Sequence, residues 1–219
     1  MLARTLGMPS SHEILSNLRL ITHDVAWLSG VWHVIAAMAL AVLLAGFHPK
    51  RRTAAASLSI PLASVSIVAL VFENPFNGAV FAALSVLLAA LAFRASTATA
   101  TLGSRWAVIS GSVLIAFGWV YPHFLERSPW FVYLYGAPLG AIPCPTLSAV
   151  VGVALVADGF GAGAWRLTLA SAALFYSVLG IFRLGVAIDS LLLLGGVGLI
   201  VQHLQSSGRQ SGRLGLRVP

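Results

Sequence analysis

Seven apolar segments occupy most of this chain, and their lengths constrain the fold more than any other feature. They run roughly over 25–46, 55–72, 77–93, 106–121, 130–157, 166–184 and 187–203. A helix needs about 20 apolar residues to cross a bilayer, within a range of about 17–25. Only 9% of the residues are charged, too few to cover a water-exposed surface of this size. The sequence therefore predicts an all-α fold, a polytopic transmembrane helical bundle of about seven spans.

The basic residues are distributed unevenly between the loops, which indicates an orientation. With the N-terminus outside, nine of them fall inside and four fall outside. The excess of inside charges favours an outside N-terminus and a cytoplasmic C-terminus, which together require an odd number of spans. The last two segments are separated by only a short stretch, so six spans is the alternative. The nine inside residues are Lys50, Arg51, Arg52, Arg94, Arg105, Arg166, Arg209, Arg213 and Arg217.

The two ends of the chain differ from the apolar region between them. The stretch "SSHE" at 10–13 predicts a capping box at the start of a helix, followed by apolar residues at helical spacing. We therefore expect residues 1–24 to form an amphipathic segment at the membrane interface and 25–204 to form the transmembrane domain. Residues 205–219 are expected to be a flexible basic tail.

The fifth apolar segment contains three prolines within eight residues, "PLGAIPCP" at 138–145. Each proline inside a helix removes a hydrogen bond and clashes with the carbonyl four residues back. The residue before a proline is also pushed away from helical geometry. We therefore expect the fifth helix to be broken at Pro-Cys-Pro, over 142–146, with half-helices on either side.

A break of this kind predicts a binding site, because unwound backbone in a membrane must be buried in protein or line a polar cavity. The second half-helix would direct its partly positive N-terminus into the membrane, and Thr146 could cap it. The competing interpretation is a structural kink packed against neighbouring helices. The candidate residues are Pro143, Cys144, Pro145 and Thr146.

A metal at this break has little support in the sequence. The chain has one cysteine, and Pro-Cys-Pro supplies half the sulfur of a Cys-Pro-Cys copper site. The residues identify no cofactor and leave the metal unknown. His33 lies eight residues into the first span, near mid-depth, where an ionisable side chain is costly and marks a site by default. We expect His33 to face the bundle interior; the alternative is a neutral histidine bonded to a neighbouring helix.

The loop before the broken helix, "GWVYPHFLERSPW" at 118–130, groups further polar residues. Tyr121, His123 and Glu126 are suited to acid–base chemistry or to binding a metal. The alternative is an interfacial cap with an aromatic belt. The topology also places the carboxylates of Asp24, Glu73 and Asp189 on this outer side.

At "GWVYPHFL" followed by "APLGAIPCPTLSAVVG" the chain resembles a bacterial multi-pass membrane family, a domain of unknown function. Members of that family carry a related Pro-x-Pro-Thr box after a Gly-Tyr/Val-Pro stretch. The resemblance implies a bacterial inner-membrane location and no known activity. Carried over, it points to residues 143–146.

Three functions fit these features. The first is a membrane protein that binds or passes a small solute or ion at the discontinuous helix. The second is a non-catalytic helical subunit or assembly partner of a larger membrane complex. The third is a membrane-embedded redox or hydrolytic enzyme, which the residues favour least. We expect the lipid bilayer to be the main partner, with other membrane subunits or further copies of the chain in the second case. Nucleic acid is excluded because the arginines form no basic groove.

Overall fold

The structure, a computed structural model, describes residues 10–125 and 129–215, and side chains as far as residue 208. Throughout this part of the chain the regular structure is helical, so the all-α prediction is confirmed. In chain order the α-helices are α1 (Ser11–Asp24), α2 (Ala26–Leu44), α3 (Arg51–Ser57), α4 (Ser59–Val71), α5 (Pro75–Ala92), α6 (Arg105–Val120), α7 (Tyr133–Gly136), α8 (Pro143–Val156), α9 (Gly163–Val178) and α10 (Ser190–Gly215).

Among the described residues, five helical segments are long and apolar enough to cross a membrane, so this is a membrane protein. Two further apolar helices, α6 and α8, are shorter. These seven elements correspond to the seven apolar segments of the sequence, but a count of seven spans stays a prediction. The five long segments are Ala26–Leu44, Arg51–Val71, Pro75–Ala92, Gly163–Arg183 and Ala187–Gly208.

The first helix begins at the capping box that the sequence predicts. The Glu13 amide donates to Ser10 Oγ at 3.2 Å, and the Ser10 amide donates to the Glu13 carboxylate at 2.5 Å. Leu18 and Ile21 of α1 are buried. Ser11 Oγ donates to the Arg183 carbonyl at 2.7 Å, which ties the start of α1 to the end of the α9 segment. The helix therefore lies against the bundle.

α8 lies at the centre of the core. Leu147, Val151 and Leu155 are fully buried among side chains of the neighbouring helices. Its closest neighbour is α6, because Gly111 and Gly152 face each other across the contact. A Cβ atom on either glycine would lie 2.5 Å from the carbonyl oxygen of the other. Small residues at such positions allow two helix backbones to approach closely, as is common in membranes.

The fifth apolar segment is discontinuous, but the break lies earlier than predicted. The chain leaves helical structure over 137–142, between α7 and α8. Pro143 and Pro145 lie in the first turn of α8, and Cys144 between them is helical. Backbone amides in a first turn have no intrahelical acceptor, so prolines there sacrifice no hydrogen bond. The predicted break at Pro-Cys-Pro is therefore wrong in position.

α10 is longer than its apolar segment. The helix continues to Gly215, through most of the stretch that the sequence assigns to a tail. That this stretch is flexible stays a prediction, as does the interfacial position of residues 1–24.

Candidate functional site

The loop between α7 and α8 is held by Thr146. The Gly140 amide donates to Thr146 Oγ1 at 2.9 Å, and the same hydroxyl donates to the Ile142 carbonyl at 2.8 Å. The residue that precedes α8 is Ile142, which offers no side-chain cap. The prediction that Thr146 caps the helix is therefore wrong. Its hydroxyl instead satisfies two backbone groups that the interruption leaves without helical partners.

A tryptophan from α2 covers the same loop. Gly140 has a φ of +71°, and its missing side chain makes room for the Trp32 indole, which a Cβ atom would strike. Trp32 Nε1 donates to Ser64 Oγ of α4 at 3.0 Å. Gly140 therefore serves two purposes, because it adopts the left-handed conformation and admits the side chain that docks α2.

Three polar side chains meet where α8 begins. The Tyr121 hydroxyl, just after α6, donates to the Asp189 carboxylate at 2.7 Å, and both residues are 1% exposed. The Cys144 thiol lies beside the pair and interacts with both. These three residues, here called the Asp189 cluster, come from three separate segments of the chain. Only the fold brings them together.

Asp189 is a buried acid whose charged neighbour among the described residues is the His123 ring. Its carboxyl group also packs against Gly180 in the π-helical turn Leu179–Arg183. Single π-helical turns recur at functional sites because they displace a helix locally. A carboxyl group inside a membrane protein is costly and is a functional hypothesis by default.

A small cleft of ≈ 30 Å³ adjoins the Asp189 cluster. That volume holds about one or two water-sized molecules. On one wall the Tyr176 hydroxyl donates to the Asn77 amide oxygen at 2.9 Å. Cys144, partly exposed, forms another part of the wall, and apolar residues of α1 close one side. The lining residues are Ile14, Leu18, Asn77, Ile142, Pro143, Cys144, Tyr176, Leu179, Gly180 and Leu184.

This arrangement is suited to a small cation or a hydrogen-bonding solute. The carboxylate, the phenol hydroxyls and the amide oxygen are hard oxygen ligands, and the thiol adds one soft ligand. Among the described residues, no three His, Cys, Asp or Glu side chains are grouped as ligands for a metal ion. The cleft itself offers the oxygen groups of Asn77 and Tyr176 and the Cys144 thiol on an otherwise mainly apolar lining, and Cys144 connects it to the Asp189 carboxyl group.

His33 lies apart from the cleft and faces the bundle, as predicted. Its ring is 4% exposed, Nδ1 is 2.7 Å from the Ser29 carbonyl, and Nε2 is 2.9 Å from the Trp119 carbonyl. The ring also meets the Trp119 indole edge to face at 5.0 Å. These contacts join α2 to the end of α6. They describe a histidine bonded to a neighbouring helix, the alternative that the sequence left open.

The remaining predicted site residues are only partly placed. Pro143 and Cys144 line the cleft, whereas Pro145 is buried with its carbonyl toward Gly118 of α6. The His123 ring lies 6.5 Å from the Tyr121 ring and 4.3 Å from Phe124. The prediction for Glu126 falls outside the described residues. Tyr121 and His123 therefore lie near each other and beside Asp189, and neither lines the cleft.

Asp189 was predicted only as one of several acids on the outer side, and neither Asn77 nor Tyr176 was a predicted site residue. Asp189 carried a usable signal, since it is a single acid at the start of an apolar segment of spanning length. Asn77 and Tyr176 carried none, because their hydrogen bond joins positions 99 residues apart.

Comparison of the chain with protein-family models, with curated proteins and with solved structures found no match. The resemblance to a bacterial membrane family of unknown function therefore stays a prediction.

Proposed function

We propose that this protein binds or passes a small solute or ion at the cleft beside α8, as a seven-span protein of the bacterial inner membrane. The buried Asp189 carboxylate carries the proposal. It lies with Tyr121 and Cys144 at the start of an interrupted helix and next to a cleft. Discontinuous helices form the substrate and ion sites of many transporters because their ends present unpaired backbone groups and partial charges.

A positively charged or hydrogen-bond-donating solute fits this site best. The Tyr121 hydroxyl occupies one side of the Asp189 carboxyl group, and Cys144, which interacts with that group, forms part of the cleft wall. The tyrosine hydroxyl and the asparagine oxygen of the opposite wall add acceptors. The small volume favours a monatomic cation or a molecule of few heavy atoms.

Cys144 provides the test, because it is the only cysteine of the chain and forms part of the cleft wall. Protein in liposomes is treated with 2-aminoethyl methanethiosulfonate, a cation, and separately with the anionic 2-sulfonatoethyl reagent. We expect both to modify Cys144 in the folded protein. The ratio of the cationic to the anionic reaction rate at Cys144 should exceed the same ratio for a free thiol by about tenfold. The reason is that the Asp189 carboxylate attracts the cationic reagent.

The matched control is Asp189→Asn, which retains an oxygen that accepts from Tyr121 and removes the charge. This variant should lose the preference for the cationic reagent while Cys144 remains reactive. Cys144→Ser gives the unlabelled baseline. If Cys144 reacts only after denaturation, the cleft is dry and the proposal fails. A charge preference that survives in Asp189→Asn would contradict the role of the carboxylate.

One observation favours the second candidate, a helical subunit of a larger membrane assembly. Only 11% of the α2 span is buried in the bundle, against 33% to 44% for the other four long spans. A helix held mainly through Trp32 and His33 leaves an apolar flank for lipid or for another membrane subunit. A dry cleft together with a stable larger complex, detected by crosslinking in native membranes, would favour this alternative.

The proposed topology has its own test. The N-terminus is placed outside and the C-terminus in the cytoplasm, on the distribution of basic residues. Reporter fusions at residue 219 should be active in the cytoplasm, and fusions within 122–129 should be active outside it. An extracytoplasmic C-terminus would overturn the orientation without bearing on the cleft.

A further inference from the structure

The end of the bundle where α3, α6 and α9 begin, here called the basic end, holds a second polar region. Of the six acidic residues in the chain, only Asp158 belongs to the segments that meet there. Basic residues lie in each of these segments and after α5. They include Arg51, Arg94, Arg105 and Arg166.

An unusual turn joins α8 to α9 at this end. Residues Asp158, Gly159, Phe160 and Gly161 all have positive φ values, of 50°, 55°, 55° and 64°. Two of them are not glycine, and such conformations persist only where surrounding contacts enforce them. Phe160 is 1% exposed and packs edge to face on Trp165 at 5.2 Å, which anchors the turn in the core.

Two guanidinium groups lie on the glycines of this turn. The Arg166 side chain covers Gly159, where a Cβ atom would strike Nε, and Arg51 Nη1 would be 2.5 Å from a Cβ atom on Gly161. Arg166 is 1% exposed and donates to Ser206 Oγ at 3.1 Å and to the Asp158 carbonyl at 3.0 Å. Arg51 donates to Thr101 Oγ1 at 2.9 Å.

Several buried donors here have no acceptor in the described part of the chain. The Nε atoms of Arg51 and Arg166 and Trp165 Nε1 are buried without a hydrogen-bond partner, as are His203 Nδ1, which donates in one tautomer only, and the acceptor Gln202 Oε1. Arg166 interacts electrostatically with the Asp158 side chain, and the hydrogen bonds of both arginines described above are to hydroxyl and carbonyl oxygens. Buried polar groups are nearly always satisfied, so water or a bound anion would be expected to meet these donors.

The start of α9 adds donors to the same place. α9 has 16 residues, and Ala162 before it provides no side-chain cap. The amides of its first turn therefore have no side-chain cap from that residue, and the helix dipole places partial positive charge there. His203 lies against Gly163, with Cε1 2.9 Å from the position of a Cβ atom.

We propose that the basic end binds a phosphate group between Arg51, Arg166 and the first turn of α9. Phosphate fits because guanidinium forks and helix N-termini both bind its oxygens by charge-assisted hydrogen bonds. The site lies at the ends of several spans, the depth at which lipid headgroups lie. The phosphate belongs either to an acidic phospholipid or to a soluble anion.

Purified wild-type protein tests this directly. Its melting temperature in detergent is measured with added phosphatidylglycerol, phosphatidylcholine or inorganic phosphate, and bound lipid is counted by native mass spectrometry. Stabilisation by phosphatidylglycerol alone identifies a lipid headgroup, and stabilisation by inorganic phosphate identifies a soluble anion; either supports the proposal. Equal effects of phosphatidylglycerol and phosphatidylcholine with no effect of phosphate would overturn it.

Variants locate the site. Arg51→Gln should weaken binding of the stabilising probe about tenfold, because one charge-assisted contact is lost. Arg52→Gln is the matched control, with the same change of charge at an exposed neighbour, and should change binding less than about twofold. If both variants weaken binding equally, the probe responds to the overall positive charge of this end, and the proposal of a specific site is wrong.

A second variant acts without removing charge. Gly161→Ala should push Arg51 from the turn and weaken binding as Arg51→Gln does. Its control is Gly46→Ala. Gly46 has a φ of +93°, and no atom lies within 4 Å of the position of the new Cβ. If Gly161→Ala binds the probe as the wild type does, the position of Arg51 on the turn is irrelevant and the proposal fails.

Discussion

At the end of α8 that begins with Pro143, polar groups pair with one another, whereas at the other end several buried donors face no acceptor. Near Pro143, Thr146 serves two backbone groups and Tyr121 bonds Asp189. Beyond Val156, residues 158–161 adopt positive φ values and the Arg166 side chain covers this turn. Arg166 Nε has no hydrogen-bond partner in the described residues. Both ends depend on glycines of positive φ covered by a large side chain.

The two ends of α8 differ in how far their polar groups are hydrogen-bonded within the protein, and this predicts how each end would bind a ligand. The Asp189 cluster is internally bonded, so it can be stable when empty and can release what it binds. At the basic end, several buried donors have no acceptor among the described residues, and the phosphate proposed above would supply one. The first arrangement is typical of transient occupancy, and the second of a resident anion.

The largest expected effect tests how far the Asp189 cluster depends on its own contacts. Asp189→Ala should lower the free energy of unfolding by about 3 kcal/mol, since it leaves the buried Tyr121 hydroxyl without an acceptor. Thermal unfolding in detergent measures the change. The control is Asp24→Ala, at an exposed acid that ends α1, with an expected change of about 0.5 kcal/mol or less. Equal effects would show that the cluster adds no stability.

The next prediction concerns the glycine of the loop before α8. Gly140→Ala should cost about 2 kcal/mol, because it combines a φ of +71° with a clash against Trp32. Gly185→Ala has a φ of +73° and open space around the new Cβ, so it should cost about 1 kcal/mol. The melting temperatures should rank in that order. A reversed order would mean that Trp32 does not depend on this loop for its position.

A smaller effect is expected at the basic end. Arg166→Met, measured without phosphate or acidic lipid, should cost about 1 kcal/mol, less than Asp189→Ala. The substitution loses two hydrogen bonds but also removes the desolvation cost of a buried charge, which the interaction with Asp158 offsets only in part. Unfolding of both variants in neutral detergent provides the comparison. If Arg166→Met is the more damaging, the guanidinium is satisfied without a ligand and the contrast between the two ends disappears.

Much of the fold was predictable because hydrophobic length and capping chemistry are local. The apolar segments, the capping box at Ser10 and the interruption before α8 all follow from neighbouring residues. The inward face of His33 was also predictable, since an imidazole in lipid would lack a partner.

The site was less predictable, because its contacts join distant positions. Tyr121 and Asp189 are 68 residues apart, and nothing local pairs them. The position of the break was missed for a different reason. Proline is costly inside a helix and harmless in its first turn, and the sequence does not show where α8 begins.

The smallest expected effect follows from that correction. Changing Pro143 and Pro145 together to Ala should alter the free energy of unfolding by less than about 1 kcal/mol, because both lie where no helical donor is needed. α8 should keep its start, since Thr146 still holds the loop, and Cys144 should react with thiol reagents within about twofold of the wild-type rate. Ala149→Pro, in the interior of the same helix, is the contrasting variant, with an expected loss of about 3 kcal/mol or more. A large loss of stability or of Cys144 reactivity in the double variant would mean that the prolines themselves fix the interruption. In that case the loop before α8 is not held by Thr146 and Gly140, and the two ends of α8 differ for another reason.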